Sequence, residues 1–501
     1  MAKRDAGRYR DERRGGARRA GRVTAGVLVV ALLVAGGIAW RTGAAEEWWQ
    51  DLRAGSSGVP ADPAAVAPPP GIDLPDVVRP DALARPAAAG APLDPVALRA
   101  ALAALGHRDL GRHVLAAVGP LDGTGLAFRS SEGAAVAIPA STTKVVTSAV
   151  ALFLLGADRT FETTTVLEGG GTTPRLVLVG GGDPYLARTP DRPDPASSAG
   201  PTYEPERADV RTLARQTARA LRADGVRTVR LGYDDSLFSG PALHPTWRPD
   251  YFPSEVAPIT ALWVDSARTP DGSTRVADPA AVAAAEFRKH LVRAGIRVVG
   301  GTAHAPAAAG ATQVAAVSSP TVGQIVQRLL EVSDNNAAEV LLRHIGVADQ
   351  GVGSFAAGQA AVERVLAANG VDPGASVLYD GSGLSRANRL SPQVLVGVLR
   401  LAASDEHPGL RPLLTSLPVA GYTGSLANRM DRGPAEGRGR VRAKTGTLTG
   451  VTSLAGIAVD QDGNLMAFAL MADRVRDDRG ELARIAMDRA AAGLGACHCG
   501  R

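Results

Sequence analysis

Residues 141–155 read STTKVVTSAVALFLL, and the fold turns on how this stretch is understood. A serine and a lysine three positions apart open an apolar run, Val145 to Leu155, with the length and composition of a buried helix. That spacing puts the Ser141 and Lys144 side chains on one helical face. An amine lifted out of water there is disfavoured as an ammonium ion, so Lys144 can take the hydroxyl proton of Ser141 and make it a useful nucleophile. Taken alone, the pattern equally fits a helix N-cap followed by a surface lysine.

Two further segments decide between these readings. Ser333-Asp334-Asn335 lies between two amphipathic stretches, Val322 to Val332 and Ala337 to Ile345, and Lys444-Thr445-Gly446 sits in a strand-like run, Val441 to Thr449. Ser-x-x-Lys, Ser-Asp-Asn and Lys-Thr-Gly, in this order, resemble the motif set of the penicillin-binding proteins and serine β-lactamases. In such a site Lys444 is the neighbouring cation that helps to keep Lys144 neutral. Ser333 supplies a hydroxyl between the two lysines to relay a proton to the leaving amine, and Asn335 offers an amide to hold the substrate's peptide bond. Read singly, Ser333 is also a helix cap and Asn335 a turn residue. Thr445 and Thr447 are expected to aim hydroxyls at a substrate carboxylate. Gly446, lacking a side chain, is expected to let an extended substrate lie along the strand. The backbone N–H groups of Ser141 and Thr447 form the expected oxyanion pair.

Length and composition set outer limits. A chain of 501 residues has room for two or three domains and a large core. Its net charge of +5 resides in the first 22 residues, which hold nine Lys/Arg against three Asp/Glu, so the remainder is close to neutral and nucleic acid is excluded as a partner. Val23 to Trp40 is charge-free, mostly apolar and flanked by Arg22 and Arg41. It reads as a span that anchors the chain in a lipid bilayer through residues 23–40, with the basic tail 1–22 in the cytoplasm and everything downstream outside. A cleaved secretory signal, leaving a secreted protein, is the competing reading. Cys497 and Cys499 flank His498 near the C-terminus; one intervening residue is poor geometry for a bridge, and too few ligands lie nearby for a metal. No disulfide framework, metal or cofactor is therefore expected.

Residues 41–94 are rich in Pro and Ala and read as an extended linker. Beyond it, Val96 to Leu105 reads as a helix, and His113 to Val118 and Gly125 to Arg129 read as paired strands turning at Asp122-Gly123. The block 163–308 carries its own strands (Arg175 to Val179, Val226 to Gly232) and helices (Asp209 to Asp224, Pro279 to Ala294), and reads as an insertion with its own core. A hairpin, Val451 to Val459 and Leu465 to Met471, and a last helix, Glu481 to Ala492, follow the Lys-Thr-Gly strand. The expected architecture is α+β, an antiparallel sheet covered by helices. Its catalytic domain combines residues 95–162 and 309–501 and is interrupted by an α/β insertion.

The long gap between Lys144 and Ser333 narrows the resemblance. With Gly181-Gly182-Asp183-Pro184, Asp234-Asp235-Ser236-Leu237-Phe238, Ala338-Glu339, Asp380-Gly381-Ser382-Gly383-Leu384-Ser385-Arg386 and Leu417-Pro418-Val419-Ala420-Gly421, the chain from about Pro95 to Leu494 is similar to the low-molecular-mass penicillin-binding proteins of peptidase family S13. The resemblance implies a serine D-alanyl-D-alanine carboxypeptidase, with or without endopeptidase action, whose substrates are peptidoglycan stem peptides and which β-lactam antibiotics acylate. It also implies that Asp234 faces a free amine on the substrate's side chain, and that Asp380 to Ser385 is a tight turn near the site whose Gly381 and Gly383 serve backbone shape. The chain departs from the family pattern at Asn336-Ala337, where a bulky residue is common, and at Gly424-Ser425-Leu426, where Gly-Thr-Leu is common. A serine β-lactamase is the nearest alternative, but no Glu-x-x-x-Asn signature for a water activator lies between Asn336 and Arg442. A catalytically idle wall-peptide-binding or scaffold protein is the other, and such a protein has no need of every nucleophile, base and oxyanion residue.

Overall fold

Strand β10 (Leu465–Ala472, LMAFALMA) is apolar at every position, and the reason is that both its faces are buried. The structure, a computed structural model, describes residues 92–130, 135–171, 173–190 and 205–500. In it β10 lies inside an antiparallel sheet of order β2-β1-β10-β9-β8, formed with β1 (Val114–Pro120), β2 (Phe128–Arg129), β8 (Val441–Leu448) and β9 (Val451–Val459). Met466, Phe468 and Leu470 join one core with α1 (Pro95–Ala101) and α9 (Gly480–Ala496). Ala467, Ala469 and Met471 join a second with α2 (Thr143–Leu155) and α8 (Pro392–Ala403). This period of two carries opposite faces of one strand into two helical layers.

The helical layer is set by its caps. Thr321 and Gln324 form a reciprocal capping box that starts α5 (Val322–Val332). Ser333, in the left-handed conformation at φ 59°, ends it, and Asp334 then accepts the Ala337 N–H to start α6 (Asn335–Gln350). The Ser-Asp-Asn triplet is thus the corner between two helices, which carries Asn335 on the first turn of α6. Helix α7 (Phe355–Ala368) packs beside α6. Helix α2 needs no polar face: Thr143 to Leu152 are all buried.

A second sheet, of order β6-β5-β4-β3-β7, belongs to the intervening block: β3 (Glu162–Glu168), β4 (Arg175–Val179), β5 (Thr228–Asp234), β6 (Arg297–His304) and β7 (Thr312–Ser318). Strands β4, β5 and β6 run parallel, linked through α3 (Val210–Ala223) and α4 (Pro279–Arg293), whose apolar sides fill a core with Leu176, Leu178, Val229 and Leu231. Because β7 pairs with β3, this sheet runs from Glu162 to Ser318 and passes the expected limit at 308. Alternation in Thr312–Ser318 is muted, since the strand is half-buried, which is why its pairing was not visible.

Two other expectations are corrected. The early strand pair is short: only Ala117 and Val118 pair with Arg129 and Phe128. Cys497 and Cys499 are bonded to each other, their Cα atoms 5.4 Å apart. The chain leaves α9 in an extended conformation at Cys497, and the Cys499 N–H donates to Asp460 Oδ2, so the tail folds back far enough for two sulfurs one residue apart to meet. The span 23–40, the tail 1–22 and nearly all of the linker 41–94 lie outside the described residues. Among the described residues no helix is long and apolar enough to cross a membrane.

Candidate active site

Ala140 to Thr142 form a single 3-10 turn at the start of α2, with Ala140 held at φ 48°, so that Ser141 leads into the helix from a tight corner. The spacing then does what helical geometry requires. Lys144 Nζ, fully buried, lies 3.0 Å from Ser141 Oγ. The same nitrogen donates to Asn335 Oδ1 at 2.8 Å and to the Ser382 carbonyl oxygen at 2.7 Å. Asn335 is oriented by its own Nδ2, which donates to the Glu255 carbonyl at 3.1 Å. Burial lowers the Lys144 pKa from 10.5 to about 8, outweighing the carboxylates of Glu339, Asp380 and Asp334, which raise it.

Lys444 on edge strand β8 is fully buried, and its Nζ donates to the Thr445 carbonyl at 2.9 Å. Burial first, then Lys144 and Arg429, push its pKa well down. Lys144 thus disfavours the charge of Lys444, whereas burial is what lowers the pKa of Lys144 itself. Ser141, Ser333, Asn335, Thr445 and Thr447 line one cleft of about 530 Å³. Ser333 Oγ stands on that wall without a hydrogen bond to either lysine among the described residues. The Thr445 hydroxyl donates to Ser425 Oγ at 3.0 Å, so Ser425 occupies the family's threonine position with its hydroxyl engaged.

Gly446 has a packing reason besides the one expected. A Cβ there would stand 2.1 Å from Ser453 Oγ, 2.6 Å from the Pro139 carbonyl oxygen and 3.2 Å from the Ser141 nitrogen. Its missing side chain lets β8 close against the nucleophile's turn. Asp234 is not brought to the cleft. It ends β5 with Oδ1 accepting from the Ser236 N–H and Oδ2 from the Ala307 N–H, both at 2.8 Å. Burial pushes its pKa up, but these hydrogen bonds outweigh it and hold the carboxyl below its usual range. The carboxylates that do line the cleft are Asp250 and Glu255, beside Arg248, Tyr251 and Ser254 on the same segment of the inserted block. No motif marks that segment; only its return past Asn335 brings it in. Asn336, the departure from the family pattern, turns away from the cleft, and its Oδ1 accepts the Ala257 N–H at 2.9 Å.

The turn Asp380 to Ser385 enters the site through its backbone. Gly383 sits at φ 87° with its α-carbon against Ala140, whereas Gly381 is needed for space, since a Cβ would meet the Ala338 carbonyl at 2.6 Å. Glu339, buried on α6, accepts from the Gly381 and Ser382 N–H groups.

A serine at the head of a core helix, hydrogen-bonded to a desolvated lysine and facing the edge strand of an antiparallel sheet, defines a serine acyl-transfer enzyme. Its fold is matched by the crystal structure of penicillin binding protein 4 (dacB) from Haemophilus influenzae, with a TM-score of 0.64, 20% identity, and coverage of 78% of this chain and 97% of that one. In sequence, the chain is 35% identical over 491 residues to carboxypeptidase DacB of Mycolicibacterium smegmatis, covering 96% of this chain and 98% of the relative. It is also 37% identical over 373 residues to a carboxypeptidase of Mycobacterium tuberculosis, covering 72% and 76% of the two chains. The D-Ala-D-Ala carboxypeptidase 3 (S13) family model matches residues 101–272 and 265–494, and the chain belongs to that family.

Proposed function

We propose that this family member is a serine D-alanyl-D-alanine carboxypeptidase that hydrolyses peptidoglycan stem peptides through an acyl-enzyme on Ser141. The observation that carries this reading is the 3.0 Å contact between Ser141 Oγ and a buried Lys144 Nζ whose pKa is lowered to about 8. The neutral amine takes the hydroxyl proton as Ser141 Oγ attacks the carbonyl carbon between the two D-alanines. Negative charge develops on the carbonyl oxygen, which the Ser141 and Thr447 N–H groups receive; one such donor is worth about 10²–10³ in rate. The proton passes by way of Ser333 to the leaving amine of the terminal D-alanine, the C–N bond breaks, and water then releases the acyl group from Ser141. Asn335 holds the substrate's peptide bond, while Lys444 and the hydroxyls of Thr445 and Thr447 receive its terminal carboxylate.

Cleavage of D-alanyl cross-links uses the same steps with a different leaving amine, and a penicillin acylates the same oxygen. The chain acts outside the cytoplasm, tethered to the lipid bilayer through Val23 to Trp40; support for this is the charge-free run between Arg22 and Arg41. Digestion of purified peptidoglycan by the protein, with the released fragments identified, tests the activity. Free D-alanine is expected, absent with Ser141→Ala. Detecting none from protein that a fluorescent penicillin still labels would make the peptidase assignment wrong, and fast turnover of that penicillin would favour the β-lactamase. Fractionation of cells with and without residues 23–40 tests the anchor.

A further inference from the structure

We infer that Glu339 is a positioning residue for acylation: by holding the Gly381 and Ser382 amides it fixes Ser382, jointly with Asp380 on the Gly383 amide, and so the carbonyl that turns the Lys144 lone pair onto Ser141. The inference rests on the reading of Lys144 as the base. A neutral amine has two N–H bonds and one lone pair. Two of the three groups around Lys144 Nζ, Asn335 Oδ1 and the Ser382 carbonyl, can only accept, so they take both N–H bonds. The remaining direction points to Ser141 Oγ, and the lone pair lies there ready to receive the proton.

Asn335 supplies one of these acceptors directly, and Glu339, one helical turn further along α6 on the same face, holds the N–H of the residue that supplies the other. Its Oε1 accepts from the Ser382 N–H at 2.7 Å and its Oε2 from the Gly381 N–H at 3.0 Å. Accepting with both oxygens suits a carboxylate; burial first, then the Asp380 charge, push its pKa up to about 8, while these same N–H groups hold it down. Neighbouring groups hold other atoms of the turn. Asp380 accepts from the Gly383 and Ser385 N–H groups, Asn388 Nδ2 and Trp247 Nε1, and Thr147 Oγ1 donates to the Gly381 carbonyl. The Ser382 carbonyl shares its peptide unit with the Gly383 N–H, which Asp380 holds, while Glu339 holds the N–H groups of Ser382 itself and of Gly381, so the two acids fix Ser382 from either side.

Charge alone gives no reason for an acid at this place. An anionic Glu339 favours the ammonium form of Lys144 and so opposes the base. The groups facing Lys144 are Glu339 and Asp334 from α6 and its cap, Asp380 from the turn and Lys444 from β8. Glu339 itself faces Asp380 and Arg343. Removing the charge while keeping the shape therefore has two separable effects. The amine loses its orientation, which lowers the rate at every pH, and it also becomes easier to deprotonate.

The test is the second-order rate of acylation by a fluorescent penicillin from pH 6 to 10, for wild type, Glu339→Gln and Glu339→Asp of the full chain, with thermal unfolding alongside. For Glu339→Gln a plateau at least tenfold lower is expected, with the rising limb shifted to lower pH. For Glu339→Asp, which keeps the charge but is one methylene short of reaching both amides, the plateau falls while the limb stays at the wild-type pH. An unchanged plateau in Glu339→Gln, or a loss that tracks the unfolded fraction with no movement of the limb, overturns the inference. If Glu339→Gln does not fold, Glu339→Asp decides: a wild-type plateau overturns the inference, and a lowered plateau at unchanged midpoint supports it. Lys144→Ala separates this from the underlying reading, since acylation persisting in that variant means that the base itself was misassigned.

Discussion

The indole Nε1 of Trp247, on the inserted block, donates to Asp380 Oδ2 at 2.7 Å, so a residue of one sheet's domain helps to hold a turn that borders the nucleophile of the other. Asp380 is buried and already serves the Gly383 and Ser385 N–H groups and Asn388 Nδ2. Trp247→Phe keeps most of the apolar packing but removes one donor from a buried carboxylate. A loss of about 1.5–3 kcal/mol is expected in denaturant unfolding, together with slower penicillin acylation. Unchanged stability would mean that the contact between block and turn is incidental.

Acylation by wild-type protein should rise with pH. Lys144 acts as a base only when neutral, and its pKa is lowered by burial to about 8, so the reactive fraction grows as pH increases through that value. The initial rate of penicillin labelling against pH checks this. A rate that falls between pH 7 and 9, in protein shown to stay folded, would contradict the assignment of the base.

Gly446→Ala should damage the site from behind. The new methyl group collides with the Pro139 carbonyl and Ser453 Oγ, so β8 must move off the nucleophile's turn. Overpacking of this kind costs about 1–3 kcal/mol, and a displaced strand also misplaces the Thr447 N–H. Both an unfolding shift and at least a tenfold slower acylation are expected; acylation at the wild-type rate would show that the strand accommodates the methyl.

Asp234→Ala should act on stability and leave substrate choice alone. Its carboxylate is engaged by two backbone N–H groups, and removing it leaves both donors short of a partner, at about 1–3 kcal/mol each where they stay buried. Rates on stem peptides with a free and an acetylated side-chain amine should keep their wild-type ratio. A changed ratio would return Asp234 to the substrate site.

Much of this protein was legible before any coordinates. Helix α5, strand β4 and strand β9 fall where periodicity put them, because each owes its limits to local signals: Thr321 and Gln324 start α5, and Gly450 precedes β9. The three motifs were legible for a related reason, since each packs its chemistry into three or four consecutive residues. Other features rest on contacts with no local trace. The tail carrying the Cys497–Cys499 bridge is held by Asp460 through the Cys499 N–H, and the last strand of the inserted sheet is set by its partner, β3.

Sequence alone paired Ser141 with Lys144, set out an inserted block with its own core and pointed to the class of enzyme, since spacing on one helix and the order of three short motifs are properties of the chain itself. Only the tertiary structure decided that Glu339 and the Ser382 carbonyl serve the lysine, that Gly446 makes room for the nucleophile's turn, and that Asp234 is spent on its own backbone. Those roles depend on which distant atoms share a water-free space, and burial, which gives each hydrogen bond there its weight, is set by the whole fold at once.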